Sequence, residues 1–243
     1  MSKLEQILAE YGPYIDDLWS RIYRLALLFT ILFFVGFFEA GWLVRHFIGM
    51  FQLKDVTIMV TSPFQFLDLA VDVGLFVAFV FCTPVAIWDF YSFLRPAVSR
   101  KEFFSLLRSL PASLFLFVFG FAYGFFAMYW GLKGLAQINL DIGLKNYWDV
   151  GLFISQLFMT STLLGILFQF PIIVYIFVRL GWVKREWLQA KRRVVYAGIV
   201  VIVSLLPPTD GLSLIIMSVP LVLMFEITVL FSRSMHRPKH IVI

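Results

Sequence analysis

The chain has 243 residues, 20 Lys plus Arg against 15 Asp plus Glu, and a formal net charge of +5. Hydrophobic residues make up 61% and charged residues 14%, against the ~45–50% and ~25% usual for soluble domains; mean hydropathy is +0.90. No soluble core needs that much apolar surface, so the excess faces lipid and the chain reads as a polytopic membrane protein.

A single cysteine, Cys82, excludes an internal disulfide framework and any Cys-based metal cluster. His46, His236 and His240 lie at no metal-ligand spacing, and the chain has no Gly-rich phosphate loop, Gly-x-Ser-x-Gly elbow or His-Glu-x-x-His. Neither an enzyme nor a cofactor is therefore expected. Met1 to Asp17 is polar and acidic, unlike a signal peptide or an Arg-rich transit peptide, so insertion is expected through the first helix itself. The basic balance reflects cytoplasmic loops and does not imply nucleic acid.

A bilayer-spanning helix needs ~20 mostly apolar residues. Ile22–Val44 qualifies, with Glu39 near its end. Phe66–Leu94 is a second span with Pro84 inside it. Leu106–Trp130 is a third, closed by the interface anchors Tyr129 and Trp130. Val150–Leu180 is a fourth, interrupted by Pro171. Val194–Leu206 has only 13 residues before Pro207-Pro208, about 20 Å of helix against a ~30 Å hydrocarbon core. Leu212–Phe231 is the sixth, containing Pro220 and Glu226. The last two could also form one broken re-entrant element. The expected fold is all-α, with six transmembrane helices and a short fifth and sixth. The whole chain, 1–243, reads as one transmembrane domain with a short N-terminal segment, 1–21, and a tail, 232–243.

Charge placement orients these spans. With six crossings and an internal N-terminus, 16 of the 20 Lys and Arg fall inside and only Arg45, Lys54, Lys133 and Lys145 outside. That asymmetry fits the positive-inside rule with both termini cytoplasmic. The outer loops, 45–65 and 131–149, hold aromatic and β-branched residues and are expected to form ordered caps.

Polar residues at membrane depth carry function or structural pairing. Gln169 lies mid-span beside Pro171, which frees a backbone carbonyl one turn back; Gln169 either satisfies a neighbouring helix or binds a partner. Glu226 either pairs with a basic residue or caps a neighbour, or serves function. Asp68 and Asp72 share a wet helix face, and Asp210 stands at an N-cap position. Asp17 and Glu102 sit among aromatic and basic residues, where a carboxylate either receives a guanidinium ligand bidentately or balances local basics.

Read together, these positions resemble the TatC family of twin-arginine protein translocase subunits. The resemblance runs through Thr61-Ser62-Pro63-Phe64, Thr83-Pro84-Val85, and Phe90-Tyr91-Ser92-Phe93-Leu94-Arg95-Pro96-Ala97 with Glu102 six residues past Pro96. It continues through Phe168 to Pro171, Pro207-Pro208-Thr209-Asp210 and Pro220 with Phe225-Glu226-Ile227. It implies a receptor that recognises the Arg-Arg motif of folded export substrates and works with TatA- and TatB-like single-span proteins. Transport would draw on the proton-motive force, with self-association in a prokaryotic plasma (inner) membrane or, alternatively, an organellar one. Carried over, Asp17 and Glu102 match the acidic pair for the two arginines, Phe93 lies beside them, and Gln169 matches the site where a partner helix docks. The family's His-Leu-x-Glu-Leu-Arg reads here as Tyr14-Ile15-Asp16-Asp17-Leu18-Trp19. The fourth-helix Glu is Gln169, and a Lys usual in helix two is Asp72. A secondary transporter and an intramembrane enzyme are the competing classes. Neither an inverted repeat nor a catalytic constellation supports them.

Overall fold

The computed structural model describes residues 3–50, 56–207 and 211–231. Helix α1 runs Lys3–Phe38 and α2 Ala40–Met50, separated by a turn at Glu39. Strand β1 is Val56–Met59, and α3 is Gln65–Leu94. A 3-10 turn, Arg95–Ala97, leads to α4, Arg100–Leu107, and α5, Leu110–Asp141. Strand β2, Asn146–Asp149, is followed by α6, Val150–Leu167, and α7, Phe170–Arg179. Helices α8, Arg185–Ala190, α9, Arg192–Ser204, and α10, Gly211–Phe231, complete the chain.

Five helical stretches are long and apolar enough to cross a membrane: Tyr14–Phe38, Gln65–Leu94, Leu110–Asp141, Val150–Arg179 and Gly211–Leu230. Helix α9, with 13 residues, is the short fifth of the six expected segments. The expected six-pass helical architecture holds, but both boundaries of the first span and both of the third differ. Helix α1 starts far before Ile22, because helical hydrogen bonds continue where lipid stops; it ends at Phe38, where the chain turns at the charged Glu39. The third span starts at Leu110, with Pro111 in its first turn, and runs on to Asp141. What reads as the second outer loop is therefore mostly helix, turned by Gly143 at φ 83°. The connections leading into α3 and α6 also carry a two-stranded parallel sheet, β1 on β2, in register Val56↔Asn146 to Met59↔Asp149.

Burial is asymmetric, as lipid demands. Tyr23, Leu27, Ile31, Phe34 and Phe38 form a helical stripe on α1 that stays exposed. The opposite face of α1 meets α3 closely: a Cβ on Gly36 would lie 2.8 Å from Val77 Cβ, and one on Gly74 2.8 Å from the Phe33 carbonyl oxygen. Small residues are what let membrane helices approach so near. Val73, Ile154, Leu157, Leu164, Phe168, Met217 and Phe225 form the main core across α3, α6 and α10. A second cluster, around Tyr91, Leu106, Phe117 and Ile176, fills the end of the bundle where α3 stops. Tyr91 and Ser109 share a 2.8 Å hydrogen bond there.

Candidate functional site

Asp17, Arg21 and Arg24 lie at i, i+4 and i+7 and so share one face of α1, opposite the last turns of α3. Arg21 Nε donates to Asp17 Oδ2 at 2.9 Å. Its Nη1 donates to the Asp89 backbone carbonyl at 3.1 Å and lies 3.6 Å from Asp89 Oδ1. Arg24 Nη2 donates to the same Oδ1 at 2.6 Å. Asp89 is 6% exposed, and its Oδ2 is buried with no hydrogen-bond partner among the described residues. A carboxylate buried this near the bundle end requires paired cations, and two arginines of α1 supply them.

The expected recognition residues fall around this network. Asp17 was expected just ahead of the first helix; it stands well inside α1, held by Arg21. Phe93 lies one turn past Asp89 on the same face of α3 and is half-buried. Pro96 is exposed in the 3-10 turn that ends α3, and Pro63 in the turn before α3 begins. Glu102 belongs to α4, but its side chain lies outside the described residues, as does the whole of Asp210.

Gln169 stands where the fourth span breaks, between α6 and α7. Its Oε1 accepts from Ser113 Oγ at 2.5 Å, and its Nε2 donates to the Ser113 carbonyl at 3.1 Å. Both residues are buried, and both line an apolar groove of about 650 Å³ between α1, α3, α5 and α7, along with Phe79, Ile87 and Tyr91. Of the two open readings, the geometry supplies the internal partner. Glu226 accepts from Tyr196 Oη and lies 3.4 Å from Arg192 Nη1, which is the pairing with a basic residue weighed from sequence.

Two polar centres escape the sequence reading. One is Asp89 with Arg24. The other is Asp149, which caps α6 by accepting the Leu152 N–H at 2.9 Å and also accepts from Thr61 Oγ1 and Gln65 Nε2. Burial disfavours its charge, but these hydrogen bonds outweigh that cost and hold its carboxyl below the usual carboxylate range. Gln65 closes the cluster by accepting the Thr61 N–H at 2.8 Å, so Asp149 ties the start of α3 to the start of α6. Among the described residues, no group of three or more His, Cys, Asp or Glu is placed to hold a metal ion.

Fold and site define a multi-pass helical membrane protein with an ion-pair network at one end and an apolar groove beside it. The chain belongs to the TatC family: the model for the Sec-independent protein translocase protein (TatC) matches residues 13–220. It is 27% identical over 229 residues to the TatCy protein of Bacillus subtilis, covering 92% of this chain and 89% of that one. It is 27% identical to TatC of Aquifex aeolicus, covering 93% and 97%. A crystal structure described as the twin arginine translocase receptor TatC in DDM matches with a TM-score of 0.78 and 25% identity, over 90% of this chain and 99% of that one. The protein is thus a membrane-embedded component of the Sec-independent translocase rather than an enzyme.

Proposed function

We propose that this protein is the signal-peptide receptor and core subunit of a twin-arginine translocase, which exports folded proteins at the expense of the proton-motive force. Its arginine-rich end faces the cytoplasm and its sheet end the opposite side of a prokaryotic plasma membrane. Asp17 and Glu102 receive the two arginines, Phe93 adjoins them, and TatA- and TatB-like single-span helices dock near Gln169.

The carrying observation is that Asp17 already holds a guanidinium: Arg21 Nε sits 2.9 Å from its Oδ2, while 43% of the Asp17 side chain is exposed. A carboxylate so placed accepts a forked donor from outside, which a lysine point charge matches poorly. Each contact is worth ~1–3 kcal/mol, so losing one weakens binding roughly ten- to a hundredfold.

Binding of an Arg-Arg signal peptide and its Lys-Lys control to the full chain tests the reading. Asp17→Ala and Glu102→Ala each weaken the Arg-Arg peptide, Asp17→Glu binds at least as well as the unsubstituted chain, and a photocrosslinker beside Glu102 captures only the Arg-Arg form. Equal binding of the two peptides by the unsubstituted protein removes the receptor assignment.

A further inference from the structure

Asp89 is a buried carboxylate with one oxygen faced by two cations and the other unused. Oδ1 faces both Arg24, at 2.6 Å, and Arg21, at 3.6 Å. Oδ2 is buried and has no partner among the described residues. A carboxylate offers roughly four acceptor positions over its two oxygens, so this arrangement leaves half of its capacity empty. An unpartnered buried acceptor is costly, and a guanidinium laid across both oxygens would remove the cost.

The present occupant does not do that. Arg24 touches Asp89 through one nitrogen, and 59% of its side chain is exposed. Arg21, only 17% exposed, is shared between Asp17 and Asp89. Two arginines three residues apart on one helix thus hold two carboxylates, each through incomplete, single-oxygen contact. Phe93 lies a turn beyond Asp89 on the same face, where an aromatic ring can stack on a guanidinium plane.

We propose that Asp89 is a third carboxylate of the arginine-recognition site, and that Arg24 and Arg21 occupy Asp89 and Asp17 in the free protein as internal stand-ins which an incoming arginine pair displaces. This rests on the receptor reading above and adds both a recognition residue and the groups that compete for it. An arginine that forks across Asp89 replaces a one-nitrogen contact with two parallel ones. A lysine gains nothing by the exchange. Competition of this kind sharpens the preference for arginine and sets the affinity below what the acids alone would give.

The test is peptide binding to the full chain in detergent, with an Arg-Arg signal peptide and a Lys-Lys control. Arg24→Gln vacates Asp89 Oδ1 and is expected to tighten Arg-Arg binding several-fold while leaving Lys-Lys binding unchanged. Asp89→Asn is expected to weaken Arg-Arg binding about tenfold and to abolish the gain from Arg24→Gln in the double variant. Asp89→Glu restores part of the affinity. Thermal unfolding is followed beside each measurement. Should Asp89→Asn fail to fold, the exposed position of Arg24 lets Arg24→Gln decide alone. Unchanged or weaker Arg-Arg binding by Arg24→Gln, with the arginine preference of the unsubstituted chain intact, overturns the role of Asp89 and leaves the receptor reading standing. Absence of that preference in the unsubstituted chain overturns the receptor reading itself.

Discussion

Ser113 and Gln169 hold each other by two hydrogen bonds of opposite sense: the Ser113 hydroxyl donates to the Gln169 amide oxygen, and the Gln169 amide nitrogen donates to the Ser113 carbonyl. The pair joins α5 to the break between α6 and α7. It satisfies a backbone carbonyl that Ser113, one turn into its helix, would otherwise share only with its own ladder.

Gln169→Leu removes both bonds and strands the Ser113 hydroxyl in an apolar setting, a loss on the order of 1 kcal/mol. Gln169→Glu is expected to be no milder, because keeping a donor for the Ser113 carbonyl requires the buried carboxyl to stay protonated. Thermal unfolding in detergent checks both. Ser113→Ala combined with Gln169→Leu is expected to cost less than the two separately, since they share one interaction. Recovery of a single-span partner that falls in Gln169→Leu but not in Ser113→Ala assigns Gln169 to docking; parallel losses assign it to packing.

Helices α5 and α6 meet closely at Gly124, where a Cβ would lie 2.7 Å from Ser161 Cα and 3.2 Å from the Thr160 carbonyl oxygen. Backbone cannot step aside as a side chain can. Gly124→Ala is therefore expected to destabilise by about 1–3 kcal/mol. Gly134, on the same helix, has open space around its Cβ position. Gly134→Ala is expected to be neutral or to stabilise by up to about 1 kcal/mol, the difference in helix propensity. Melting temperatures of the two variants moving in opposite directions, or only the first moving, is the expected outcome.

Hydropathy made the six passes legible, even the 13-residue α9, because lipid punishes polar residues over a fixed thickness. It could not place the ends of α1 and α5, which continue into water as helices with no change in their own hydrogen bonding. The pairing of Asp89 with Arg24 is legible from depth alone. Arg24 lies two residues into the first expected span, and Asp89 lies five residues before the end of the second. In antiparallel neighbours those positions share one depth. The Asp149 cluster was different. Its three residues come from segments more than 80 positions apart, brought together by the parallel register of β1 on β2, and no local pattern announces a pairing of two four-residue strands.

Asp149 makes the sheet end pH-sensitive. A carboxyl whose folded pKa lies below its unfolded value, near ~3.9, stabilises fully above that value and loses its contribution as pH falls toward the folded one. Protection of the Leu152 amide against hydrogen exchange, relative to its intrinsic rate at each pH, is accordingly expected to hold at neutral pH and to fall below about pH 4. Asp149→Ala, which removes the cap of α6 at every pH, is expected to cost about 0.5–2 kcal/mol and to flatten that acid dependence. An unaltered exchange profile in Asp149→Ala would move the control to another group.

Orientation across the membrane follows from which end bears the cations. The turn and sheet at one end expose Val60 and Ile142, while Asp16 and Glu186 lie exposed at the arginine-rich end. The proposed orientation would put 16 of the 20 Lys and Arg on the cytoplasmic side by sequence position, which avoids carrying those charges across the bilayer during insertion. Single cysteines introduced at 60, 142, 16 and 186, in a Cys82→Ser background, report this with a membrane-impermeant thiol reagent on intact cells. Positions 60 and 142 are expected to label from outside, and positions 16 and 186 only after the membrane is opened. Four positions labelling in the reverse sense would turn the protein over and place Asp17 and Asp89 on the side where no cytoplasmic peptide can reach them. Labelling of 142 from the cytoplasm with 60 outside would break the six-pass count, because α5 could then not cross.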